Sequence, residues 1–149
     1  MSCMAFRESA CSTYNSNPFI VARQNRCEYR LENPSRRPVC KVDVDGCYIT
    51  NGRRCDYLLI DCQQHNAFFV ELKGTHLLDA VQQIIDTLQK LLNSLQDCNV
   101  FARIVCTRVS VPNIQNNPKI LRLQRLLRKH GGTLTNASRH LSESLDNPH

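Results

Sequence analysis

The sequence predicts an α/β fold: a mixed central sheet flanked by helices, in the order αβββαβ, followed by a C-terminal helix and a short edge strand. Three observations carry that expectation. Two apolar runs, Tyr57-Leu-Leu-Ile60 and Ala67-Phe-Phe-Val70, are rich in strand formers and separated by a polar break. Asn51-Gly52, a strong short hairpin signal, precedes them. After them Leu77, Val81, Ile84, Ile85, Leu88 and Leu91 recur at three and four, the period of a helix laid against a sheet.

Element by element, residues 1–18 are rich in Ser, Asn and Cys without apolar period, and read as a loose arm ahead of a single domain over 19–149. Phe19 to Glu32 is expected to be the first helix, packing through Ile20, Val21, Cys27 and Leu31, and Pro34 and Pro38 end it. Val39 to Thr50 alternates as a first strand, Cys55 to Asp61 is a second, and Ala67 to Lys73 a third. Gly74-Thr75 opens the long helix, with Thr75 as N-cap and an end near Cys98. Val100 to Cys106 is a fourth strand and Pro118 to His130 the last helix. Gly131-Gly132 caps that helix, and Thr133 to Thr135 supplies the edge strand.

With 149 residues and 42% apolar content, the chain can bury a core without staples, which excludes a disordered class. No stretch reaches membrane-spanning length, and Met1 to Glu8 lacks the basic start and apolar run of a secretory signal, so a cytoplasmic location is expected. The nine cysteines are odd in number and show no Cys-x-x-Cys pair or zinc spacing. They are expected to be reduced and buried. Nineteen Lys+Arg against thirteen Asp+Glu give a net charge of +6, which favours polyanionic partners.

Register points to a site. If Asp61 and Asn66 flank a four-residue loop, Asp56 falls opposite Glu71, where cross-strand Cβ atoms are about 5 Å apart and like charges repel. Alternation puts Lys73 on the face of Glu71 and Leu72 on the other. Two carboxylates and an ammonium therefore converge in an apolar setting, and a hard divalent cation suits such a pair. An uninterrupted first hairpin would set Cys47 opposite Asp56 and bury Asp43 and Asp45. A bulge at Gly46 is expected instead, turning Val42 and Val44 inward and leaving both aspartates solvated.

Asp56, fourteen residues, then Glu71-Leu72-Lys73, all within αβββαβ, resembles the PD-(D/E)XK nuclease superfamily, whose core is the restriction-endonuclease-like fold. The resemblance covers about residues 20–107; Cys55 stands where many members have proline. It implies Mg²⁺ (or Mn²⁺) on Asp56, Glu71 and the Leu72 carbonyl, with Lys73 acting on the attacking water. Many members add a glutamine on the following helix. Gln82 borders the apolar stripe at 100° per residue whereas Gln83 points more to solvent, so Gln82 is the preferred candidate, beside a plain helix-surface reading. Glu28, with Glu32 second, is the candidate for a carboxylate from the first helix.

Arg53 and Arg54 adjoin Asp56 and are the favoured phosphate contacts. Arg122, Arg125 and Lys129 form a cationic stripe on the last helix, which also reads as a solvated helix face. The expected activity is metal-dependent hydrolysis of phosphodiester bonds, with DNA ahead of RNA on the resemblance. The alternative is a nuclease-like module that binds nucleic acid or a protein without cutting. A homodimer or an accessory subunit would enlarge the small surface a single domain offers to a duplex.

Overall fold

The computed structural model describes residues 2–73, 76–107 and 116–148. In chain order the elements are α1 (Ser2–Arg7), β1 (Ser12–Asn15), β2 (Phe19–Gln24), β3 (Cys27–Glu32), β4 (Val39–Asp43), β5 (Tyr57–Asp61), β6 (Asn66–Lys73), α2 (Leu77–Leu91), a 3-10 turn (Leu92–Leu95), β7 (Asn99–Cys106), α3 (Pro118–Lys129), β8 (Leu134–Ser138) and β9 (His140–Ser144). Six strands form a mixed sheet in the order β1-β4-β5-β6-β7-β8, and β2-β3-β9 form a second sheet. The protein is therefore of the α/β class. The β4-β5-β6 meander is antiparallel, while β6, β7 and β8 run parallel. Parallel neighbours need a crossover, and α2 and α3 provide the two.

Alternation along the strands divides the core. Leu58, Ile60, Ala67, Phe69, Ala102 and Ile104 face α1, α2 and α3. Leu59, Phe68, Val70, Leu72, Phe101 and Val105 face the second sheet through Ile20, Tyr29, Leu31 and Leu145. Both faces of β6 are thus covered, as its continuous apolar run requires. The last helix stops where the glycines predict. Gly131, at φ 74°, donates to Arg128 O and Gly132 to Leu127 O, the paired bonds of a Schellman cap.

Five expectations are corrected. Residues 19–32 form the β2-β3 hairpin, not a helix. The turn residues Asn25 and Arg26 have φ of 53° and 63°, as a type I′ turn needs. Cys27, Tyr29 and Leu31 are buried between less buried charged residues, a period of two that outweighs the looser helical spacing. A sheet, not a helix, therefore covers that side of the six-stranded sheet.

The N-terminal residues are not a loose arm. Phe6 is fully buried, and β1 adds to the edge of β4. The cysteines are not all reduced as expected: two disulfides, Cys3–Cys62 and Cys11–Cys47, tie this segment to the body, and Cys27, Cys40, Cys55, Cys98 and Cys106 are buried free thiols.

The first hairpin is also shorter than expected. β4 ends at Asp43, opposite Tyr57, and Val44 N donates to Asp56 O, so Cys47 is not across from Asp56. Gly46, at φ 79°, turns the chain within the connecting loop rather than as a bulge in a ladder, although Val42 and Val44 do point inward and Asp43 and Asp45 are exposed. Finally, α2 is capped at His76, without a side-chain bond, and ends at Leu91; Thr75 lies outside the described residues.

A buried ion pair joins the two sheets. Arg103 on β7 is fully buried and makes a two-point contact with Glu143 on β9, with Nη2 3.1 Å from Oε1. Tyr29 Oη donates to Glu143 Oε2 at 2.6 Å, and the guanidinium stacks 5.1 Å from the centre of the Phe101 ring. Removing one partner would strand the other charge. Glu143→Ala is expected to cost about 3–5 kcal/mol in urea unfolding, and the double change Arg103→Met with Glu143→Leu to recover most of that.

Candidate active site

Asp56 and Glu71 meet because the β5-β6 register carries one residue past the end of β5. Tyr57 pairs with Val70, which leaves Asp56 opposite Glu71. Asp61 sets this register, since its Oδ1 accepts from Gln63 N and Gln64 N across the turn and its Oδ2 receives Arg37 Nε at 2.9 Å. At the other end, Cys55 N donates to Thr87 Oγ1 of α2 at 2.7 Å, fixing the chain just ahead of Asp56.

The two carboxyls are then locked reciprocally. Asp56 N donates to Glu71 Oε1 at 3.0 Å, and Leu72 N donates to Asp56 Oδ2 at 2.8 Å. Asp56 is 5% and Glu71 2% exposed. Burial, and then the charge of Asp56, push Glu71 up to about 9, with Lys73 only partly offsetting them. Burial also raises Asp56, against the Leu72 N–H that favours its ionised form. The two neighbouring carboxyls act on each other in opposite senses, which works to lower Asp56 and to raise Glu71, and they titrate as a pair.

Such a pair is short of positive charge, and a hard cation would supply it in place of the proton. The residues present fit such an ion in modest number. The Leu72 carbonyl expected beside them already accepts Asn25 Nδ2 at 2.9 Å. Among the described residues no group of three or more His, Cys, Asp or Glu side chains is placed to hold a metal. Asp56 and Glu71 would hold the ion with water completing its shell.

Beside the pair, Arg53, Lys73, Asp79 and Gln83 line an open cleft of about 220 Å³. The glutamine at the cleft is Gln83, and its Oε1 is buried without a hydrogen-bond partner. Gln82 instead bonds Asp86 Oδ1 along its own helix, at 2.9 Å. Helical periodicity taken from the apolar stripe misjudged this, because the loop ahead of Asp56 covers the flank of α2 on which Gln83 sits. Asp79, in the first turn of α2, had no motif to signal it.

The other candidates are dispersed. Glu28 lies on β3 in the second sheet, bound to Arg23 at 2.6 Å and His140 at 2.9 Å, and Glu32 is exposed at the end of the same strand. Arg54 pairs with Asp45 at 2.8 Å within the loop, leaving Arg53 as the loop arginine in the cleft wall. Arg122, Arg125 and Lys129 are exposed on α3. That helix starts at the end of the sheet where β6 and β7 finish, so Arg122 lies nearest the site and Lys129 farthest. No protein-family model, curated protein or solved structure matches the chain. Among the described residues no helix is long and apolar enough to cross a membrane.

The raised titration of Glu71 fixes the sign of a pH effect. Between its ordinary value of 4.5 and about 9 the folded chain keeps a proton that the unfolded chain has released. This stabilisation is full below 4.5 and is lost as pH rises towards 9. Glu71→Gln mimics the protonated acid and removes that dependence. Its thermal midpoint is expected to match wild type near pH 5 and to exceed it by several degrees at pH 8.5, as followed by circular dichroism.

Proposed function

We propose that the protein is a metal-dependent nuclease that hydrolyses phosphodiester bonds in DNA. The observation that carries this reading is the buried, mutually bonded pair Asp56 and Glu71, with Lys73 beside it in the wall of an open cleft. A structural role alone gives no reason to place two carboxylates against each other out of water. A Mg²⁺ or Mn²⁺ ion held there would polarise a phosphoryl oxygen and lower the pKa of a bound water.

The chain's own groups then divide the remaining work. Asp56 and Glu71 would hold the ion, and the Asp56 and Leu72 N–H groups keep both carboxyls from turning away. Lys73 orients the attacking water and offsets charge developing at phosphorus. Gln83 lines the same cleft from α2. Arg53 contacts a phosphate at the cleft, and the exposed cations of α3, Arg122 first, extend the positive surface along the substrate.

A non-cleaving module is the second reading, and one observation favours it: among the described residues no third His, Cys, Asp or Glu side chain joins the pair to hold a metal, and the Leu72 carbonyl already accepts one bond from Asn25. Plasmid, linear duplex, single-stranded DNA and RNA incubated with Mg²⁺ or Mn²⁺ separate the two. Wild type is expected to cut DNA, with folded Glu71→Ala and Lys73→Ala each reduced at least about 100-fold. Binding without cleavage by all three would support the module instead. Arg53→Ala is expected to lower the slope of log affinity against log salt by about 1, measured by fluorescence anisotropy on duplex DNA.

A further inference from the structure

Both disulfides attach the first fifteen residues to the body, but they differ in access. In one, Cys3 of α1 is buried and Cys62 half-buried, so neither sulfur-bearing residue is exposed. Cys11 is half-buried and Cys47 exposed, and both line an open cleft with Thr13, Lys41, Asp43 and Tyr57. Cys47 sits in the loop between β4 and β5, whose far end carries Arg53, Arg54 and Asp56. The loop's other holds are unevenly spread. Lys90 Nζ bonds Asn51 O at 2.7 Å and Thr87 receives Cys55 N, so residues 51–55 are fixed to α2. Residues 45–50 are held by the Cys11–Cys47 bridge, by Tyr48 and Ile49 packed on the core with the Tyr48 ring 5.1 Å from Phe6, by backbone bonds within the loop and from Tyr48 N to Asp43 O of β4, and by the Asp45–Arg54 pair.

We propose that Cys11–Cys47 is a reversible thiol–disulfide site, open to a dithiol reductant, that latches residues 45–50 against the N-terminal segment. A thiolate of the dithiol attacks the exposed Cys47 Sγ and breaks the bridge, and Cys11 leaves as a thiolate that takes a proton. The second thiol of the reductant then attacks the mixed disulfide and releases Cys47. The reductant ends as its own disulfide, and the protein has gained two electrons and two protons. Opening the bridge loosens Asp45 and with it the Arg54 side chain beside the candidate active site. The inference does not rest on the nuclease reading, because its test reads neither cleavage nor nucleic-acid binding.

The full-length folded protein would be treated with iodoacetamide before and after mild dithiothreitol, the modified cysteines mapped by mass spectrometry, and amide exchange followed by peptide. The expected result is no label on Cys11 or Cys47 before reduction and label on both after it, with Cys3–Cys62 still closed. Exchange in residues 45–50 should rise at least tenfold while β5 and β6 stay unchanged, and the Cys11→Ser/Cys47→Ser variant should show the same rise without reductant. Label on both cysteines before reduction would overturn the proposal, since no bridge would exist. So would a bridge that resists reduction until the protein unfolds, both bridges opening at one rate, or unchanged exchange at 45–50 in the reduced protein and the double variant alike.

Discussion

Coverage of β6 on both faces is the constraint from which the rest of the structure follows. Every residue of that strand from Asn66 to Leu72 is buried, so its neighbours on each side must bring apolar surface, and each face must carry a complete layer. On one side the three helices provide it. On the other a separate three-stranded sheet does, and the chain reaches that sheet from both ends, through the β2-β3 hairpin and through β9. Glu71 lies on this strand, so its carboxyl is withdrawn from water before any question of function arises.

Buried charge is handled in two opposite ways. Arg103 and Glu143 form a satisfied pair, with Tyr29 taking a further bond and aromatic rings around the guanidinium, and the pair fixes how the second sheet sits on the first. Asp56 and Glu71 are two acids side by side, and their backbone bonds orient them without supplying a counter-charge. The first arrangement is complete within the chain. In the second, burial and the neighbouring charge of Asp56 raise the titration of Glu71, with Lys73 only partly offsetting them. That contrast is why the proposed function is placed at Asp56 and Glu71 rather than at the larger polar network.

Positioning of the carboxyl pair relies on long-range ties more than on local preference. Thr87 on α2 anchors Cys55, Asp61 fixes the β5-β6 turn, and the loop that delivers Asp56 is bound at one end to α2 and at the other to the N-terminal segment by the Cys11–Cys47 bridge. Arg37 and Lys41, cations near the start of β4, are spent on such ties: Arg37 on Asp61 and Asp146, Lys41 on Val21 O. The positive surface left for a polyanion is therefore narrower than the net charge suggests, although Arg53, Arg26, Arg139 and the cations of α3 remain exposed.

The sequence by itself determined β5, β6, their register, the body of α2, strand β7 and the capped end of α3. Each of these is set by local pattern or by a turn only a few residues long, so the opposition of Asp56 and Glu71 was legible from a loop count. Tertiary structure decided the rest. The β2-β3 hairpin competes with a helix over the same residues, and only the apolar face of the six-stranded sheet selects between them. The N-terminal helix and strand lack enough apolar pattern to be seen alone, and order comes from the β4 edge, the buried Phe6 ring and two disulfides. Which glutamine of α2 meets the cleft depended on a loop from elsewhere in the chain. Local periodicity reports what a segment can bury, whereas the neighbour that covers it is chosen by contacts between segments far apart in sequence.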